Sequence, residues 1–277
     1  SLFMSLSVFI VFVAGIIGSD LSPVKSLSTL PVATIVVGTA VSVIPVIKLM
    51  SIFGRKKVFL SACLYTILLI SLCIFSITKE MFFLFSFSSF CLGASVSTMM
   101  QFRFAAIESV EPEKRPSATA VVVLGGLVSA FLGTEVATLG KHYFETDFVG
   151  SFVLLAFLFV IAFILMTFFQ PPVKFKEQVD ESKRPLLEIV KQGSFIVAVC
   201  AATTGYVVMS FIMTATPVSM HVMDGHSLHH TKVVLQSHVI AMFLPSLFTA
   251  IIVRYIGLTR MMLLGVVLFF ISIIIAF

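Results

Sequence analysis

"LPVATIVVGTAVSVIPVIKLMSIFGRKKVFLSACLYTILLISLCIFSI", residues 30 to 77, consists of two long apolar runs separated by three consecutive cations, Arg55, Lys56 and Lys57. A helix crosses roughly 30 Å of hydrocarbon with about 20 residues, rising about 1.5 Å for each. Both runs have that length, and the turn "IFGRKK" (52–57) between them is too short to do more than reverse the chain. The stretch therefore reads as helix, basic turn, helix in a membrane. The turn itself has two readings: it fixes only which way the flanking helices cross, or it is a working part of a machine.

The rest of the chain agrees with the membrane reading. Of 277 residues, 59% are hydrophobic and 11% charged, and the mean hydropathy is +1.15. Soluble domains carry about 25% charged residues, so this chain could not cover a water-facing surface. Its net charge of +5 does not point to nucleic acid, because the basic residues lie in short turns between apolar runs rather than on one soluble face. The cysteines Cys63, Cys73, Cys91 and Cys200 fall inside apolar runs without ligand spacing and read as small buried hydrophobes. The first run has neither a basic start nor a small-residue cleavage site, so it reads as a spanning helix rather than a secretory signal.

Nine segments have spanning length: 2–18, 30–50, 58–78, 81–104, 117–140, 148–169, 194–217, 232–253 and 259–277. Backbone polar groups in lipid must be satisfied within the segment, so these are helices and the fold class is all-α polytopic membrane protein. Lys and Arg are counted turn by turn to set orientation. Fourteen lie in the turns after spans two, four, six and eight, against four (Lys25, Lys79, Lys141, Lys232) on the other side. That bias predicts a cytoplasmic amino terminus. The polar stretch "QPPVKFKEQVDESKRPLLEIVKQG" (170–193) reads as a cytoplasmic linker ending in a short surface helix. It divides a six-helix bundle, 1–169, from a three-helix bundle, 194–277.

An internal repeat supports this division. "IFGRKKVFLSACLY" and "YIGLTRMMLLGVVL" lie six spans apart, and each has a glycine, a basic residue within three positions and an immediate return to the membrane. With this repeat, the "GRKK" turn and the long middle linker, the sequence resembles the major facilitator superfamily of secondary transporters. The stretch "QFRFAAIESVEPEKRPSATAVVVLGGLVSAFLGTEVA" is similar to the fourth-to-fifth turn of bacterial members of uncharacterised substrate. The resemblance implies an MFS-like helical bundle in a bacterial inner membrane, with the six-helix amino-terminal half and the first three helices of the other half. Intact members have twelve spans, so the chain is expected to stop short after the ninth. Because it opens on Ser1, it is also expected to lack a few residues upstream.

The departures from the family pattern bear on mechanism. Gly54, Arg55 and Lys56 are kept, but Ile47 and Ser51 stand where the family's turn has a glycine and an acid. Ser89 stands where many proton-driven exporters carry an arginine, and Gly133-Thr134 replaces the Gly-Pro pair typical of antiporters. Proton-driven drug antiport is thereby weakened, and transport in general is not. The resemblance implies that Arg103 and Glu108 pair with the Gly54–Lys56 turn as a cytoplasmic gate; as isolated surface charges they would contribute almost nothing.

Ionisable groups inside a span cost about 2.5 to 3.5 kcal/mol at the helix centre and are functional candidates for that reason. Glu135 is the one acid read within a span and His238 the one histidine. Together they are candidates for a cavity gate or proton-linked site, against the plainer reading of a snorkelling acid and a packing histidine. In "TTGYVVMS" (203–210), Thr203, Thr204 and Tyr206 flank a glycine that permits local unwinding, and with Gln236 they are candidate substrate contacts. The alternative is hydroxyls bonding to their own helix around a packing glycine. "HVMDGHSLHH" (221–230) reads as a solvated turn rather than a metal site.

No phosphate-binding loop or nucleophile elbow occurs, so no enzyme activity, metal or cofactor is expected. The expected partners are the lipid bilayer and a small-molecule substrate, with protons the candidate coupling ion; no nucleic-acid partner is expected and the chain is read as a monomer. A transport-incompetent receptor or accessory protein on the same helices is the alternative, as is an inactive fragment of a transporter.

Overall fold

The computed structural model describes residues 1–111, 114–170 and 186–276. Twelve helices are described: α1 Leu2–Leu21, α2 Leu30–Phe53, α3 Arg55–Thr78, α4 Phe82–Met100, α5 Phe102–Glu108, α6 Arg115–Leu139, α7 Val149–Thr167, α8 Leu186–Val190, α9 Gly193–Pro217, α10 Leu228–Phe243, α11 Thr249–Ile256 and α12 Leu258–Ala276. No strand occurs among the described residues. Seven helices are long and apolar enough to cross a membrane, and Leu258–Ser272 adds a shorter apolar helix. The chain is a multi-pass membrane protein with a helical-bundle fold.

Three expectations need correcting. Span eight is not one helix: α10 ends at Phe243 and α11 begins at Thr249, with a 3-10 turn at Pro245–Leu247 between them. Pro245 brings no N–H and its ring crowds the preceding turn. The chain re-forms with tighter bonds, from Leu247 N–H to the Leu244 carbonyl (3.3 Å) and from Phe248 N–H to the Pro245 carbonyl (3.0 Å). Second, α1 runs on to Leu21, so Asp20 joins its last turn and Glu135 is not alone as a helical acid. Third, Cys200 is exposed on α9, unlike buried Cys63 and Cys73, because that helix is only lightly covered over its first half. Of the expected linker, residues 171–185 lie outside the described residues; the five-residue α8 lies within its remaining stretch.

The centre of the bundle is α1, whose Phe9, Ile10, Phe12, Val13 and Ala14 are fully buried. It packs on α2, α6 and α9. Small residues set the close crossings, as expected where lipid offers no hydrophobic drive between helices. α2 and α4 meet at Gly38 and Gly93, where a Cβ on either glycine would overlap the other helix's backbone. α6 meets α1 at Gly133, where a Cβ would lie 2.8 Å from the Ser5 carbonyl. Buried hydroxyls are satisfied locally or across helices: Thr66 Oγ1 donates to the Ala62 carbonyl and lies 2.7 Å from Ser95 Oγ on α4. The faces turned away from the bundle stay apolar, as at Ile44, Leu68 and Phe157, which suits a hydrocarbon solvent.

The repeated turns share one backbone geometry. Gly54 has φ 82° and ψ 154°; Gly257 has φ 80° and ψ 161°. Both are left-handed φ values that favour glycine. Gly54 N–H donates to the Met50 carbonyl as Gly257 N–H does to that of Val253, and each glycine's own carbonyl accepts from the residue four further on. The same device thus closes α2 onto α3 and α11 onto α12.

Candidate functional site: a cavity between α1, α6, α9 and α10

A cavity of about 660 Å³ is lined by residues of α1, α2, α4, α5, α6, α7, α9 and α10. That volume falls in the range of small-molecule sites, about 300–1,000 Å³. It reaches the end of the bundle that carries the Gly54 turn, the basic end, at Arg103, Ser109 and Phe169. Its wall is mainly aliphatic, with methionines prominent: Met4, Met99, Met166, Met209, Met213 and Met242 all contribute. Methionine is unbranched and polarisable, adapts to irregular shapes and favours aromatic contacts. Among the described residues no carboxylate lines the cavity, and Arg103 is the one charged side chain in its wall. A cation entering would lose hydration and find no counter-charge; a neutral or weakly anionic molecule would not meet that penalty.

At the opposite end α6 and α10 are joined by polar contacts. Lys232 Nζ donates to both carboxylate oxygens of Glu135, at 2.9 and 3.0 Å. One helical turn along α10, Gln236 Nε2 donates to Thr134 Oγ1 at 2.7 Å. Lys232 is 9% exposed and Gln236 equally buried, so both depend on partners from α6. Closer to the cavity, the ring of Phe243 fills the space over Gly126, where a Cβ would come within 2.8 Å of it. Nearby, α1 lies against the single π turn that follows α9, Val218–Met223, with Val218 over Gly15.

At the basic end, Arg55 Nε donates to Glu108 Oε2 at 3.0 Å and Arg55 Nη2 to Glu108 Oε1. The pair joins the start of α3 to the end of α5. Lys56 Nζ donates to the Thr167 carbonyl at 2.6 Å, meeting the open C-terminal end of α7. Ser51, where the family pattern has an acid, donates to the Lys48 carbonyl and takes no part. Arg103 does not join Glu108; its guanidinium lies 4.9 Å from the Phe104 ring centre, beside the cavity mouth.

The candidate residues therefore separate. Glu135 and Gln236 lie on the α6–α10 contact, whereas His238 does not reach Glu135 and its Nε2 is buried without a hydrogen-bond partner among the described residues. Two residues on from Gln236 turns a helix by about 200°, which carries His238 off the face that meets α6. Tyr206 lines the cavity; Thr203 and Thr204 are exposed outside its wall. α9 stays helical through Gly205, which has open space around it, so the expected unwinding does not occur there. The irregularity comes later, in the π turn. Of the outer-turn histidines, His221 Nδ1 contacts the His226 carbonyl at 2.8 Å, and α10 begins early because Ser227 caps it by accepting from His230 N–H.

Sequence reasoning missed Lys232 and Thr134. The sequence reading counts Lys232 with the outer turn and takes Thr134 only as the replacement for a proline. The available signal was the spacing of Lys232 and Gln236 at i and i+4, which places both on one face of a helix.

The family model of the Major Facilitator Superfamily matches residues 1–277. The chain is 31% identical over 270 residues to Riboflavin transporter RfnT of Brucella anthropi, a match covering 96% of this chain and 68% of that protein. Two proteins of Bacillus subtilis, the uncharacterized MFS-type transporters YddS and YdeG, are each 26% identical, over 90% and 91% of this chain. The chain spans 61% and 62% of the length of those two relatives. No solved structure matches.

Proposed function

The chain belongs to the Major Facilitator Superfamily, and from that premise we propose that it moves a small molecule across the membrane by alternating access through the cavity between its two bundles, 1–169 and 194–277. The bias of basic residues to the turns at the Gly54 end supports a cytoplasmic location for that end and for the amino terminus, and on this reading the cavity faces inward. In this state the contacts of Glu135 and Thr134 with Lys232 and Gln236 close the outer end. In the outward-facing state they part, and the Arg55–Glu108 and Lys56–Thr167 contacts help hold the cytoplasmic end. Glu135, whose lysine partner lies on the other bundle, is one candidate for the proton-linked site. His238, unpartnered one residue before cavity-lining Val239, is the second candidate.

The single observation that carries the substrate reading is the cavity wall, rich in methionine and, among the described residues, without a carboxylate. It suits an uncharged, flat, amphipathic molecule and disfavours organic cations. Riboflavin, the molecule named for the relative at 31% identity, belongs to that class. In proteoliposomes preloaded with unlabelled riboflavin, labelled riboflavin should accumulate by counterflow and excess unlabelled riboflavin outside should suppress it. Specific binding without counterflow would favour a receptor, and neither would refute a flavin substrate.

A further inference from the structure

Most hydroxyls in the spans are already used. Thr39, Thr66, Ser88, Thr98, Ser129 and Thr134 each donate to a carbonyl three or four residues back. On α9, Tyr206, Ser210 and Thr214 make no side-chain hydrogen bond among the described residues, and all three line the cavity. They recur at i, i+4 and i+8, one face of the helix, about 6 Å apart along its axis. Between them on the same face stand Met209 and Met213. A helix that presents an unspent hydroxyl at every turn, interleaved with thioethers, offers donors and acceptors along a line rather than at a point.

We propose that Tyr206, Ser210 and Thr214 form a hydroxyl ladder that binds the polyol chain of the transported molecule, while the aromatic part lies against the methionines. The ligand class is a fused-ring heteroaromatic carrying a linear hydroxylated tail. Each hydroxyl on the tail can both donate and accept, as each rung can. A tail lying along α9 exchanges water for these rungs without leaving a polar group bare. With no carboxylate among the described residues of the wall, such a neutral tail is held by hydroxyls. The proposal rests on the flavin reading above and assigns the part of the ligand that α9 recognises.

Riboflavin and lumichrome, which share the ring system but differ in the polyol chain, separate the two ideas. Binding is measured by quenching of flavin fluorescence on protein in lipid nanodiscs, for wild type and for Tyr206→Phe, Ser210→Ala, Thr214→Val and the triple variant. Wild type should bind riboflavin more tightly than lumichrome. Each single variant should weaken riboflavin binding about 5-fold and the triple variant about 100-fold, on the scale of one neutral hydrogen bond per rung. Lumichrome binding should not change, which also certifies the variants as folded. Unchanged riboflavin affinity in the triple variant would overturn the ladder, as would parallel loss of both ligands, which would place these residues against the ring. Failure of wild type to bind either molecule would instead overturn the flavin reading on which the ladder rests.

Discussion

Reversing one charge of the Glu135–Lys232 pair is expected to cut transport by more than tenfold, and reversing both is expected to restore it to within about threefold. The reason is the different exposure of the partners. Glu135 is half-buried and could turn to water, whereas Lys232 is 9% exposed and has nowhere to place its ammonium except against α6. Lys232→Glu sets two carboxylates face to face, so the closed outer end becomes the costly state. Every 1.4 kcal/mol removed from closure changes the ratio of the two states about tenfold, and a carrier that cannot repopulate one state turns over at the rate of its rare visits to it. In Glu135→Lys/Lys232→Glu the ion pair is rebuilt in reverse. Counterflow rates for the two single variants and the double variant check this; a double variant no better than the worse single would mean that the pair does not act as a unit.

The second large effect concerns the fold that carries the site. Gly38 and Gly93 let α2 and α4 cross with their backbones in contact, and a Cβ on either would overlap the opposite main chain rather than a side chain able to move. Overpacking a core costs about 1–3 kcal/mol where side chains can yield; here they cannot. Gly93→Leu is therefore expected to abolish folded, monodisperse protein in detergent, and Gly93→Ala to lower the thermal midpoint markedly. The control is Gly205→Ala on α9, where a Cβ meets nothing within 4 Å and the helix gains about 1 kcal/mol in propensity. Fluorescence-detected size exclusion and thermal melts of the three variants give the comparison.

The helical membrane fold was legible because span length and turn charge are one-dimensional signals. Residues 30–77 already contain α2, the Gly54 turn and α3, and the structure places their ends within a few residues of the expected ones. The repeat was legible for a related reason: a positive φ with an extended ψ, as at Gly54 and Gly257, is open essentially to glycine alone and so leaves a glycine in both turns. The break at Pro245 was visible as a residue but not as a break, since Pro45 sits inside an unbroken α2 and hydropathy does not separate the two. Side-chain pairing across the bundle was harder. Glu135 drew attention as a charge in an apolar run, but its partner depends on how α10 is rotated. That rotation is fixed by Ser227 starting the helix early, by four residues relative to the expected span. The cavity was least legible, because its methionines and hydroxyls come from several helices whose order of contact no local pattern encodes.

Alternating access is tested most directly by locking the outer end. In a background with Cys63, Cys73, Cys91 and Cys200 replaced, cysteines at Thr134 and Gln236, whose native side chains meet at 2.7 Å, can be bridged by a short cleavable bis-maleimide. Bridged protein should retain ligand binding from the cytoplasmic side, lose counterflow, and recover it when the linker is cut. Counterflow at the unbridged rate with the bridge in place would contradict transport by opening and closing of the α6–α10 contact.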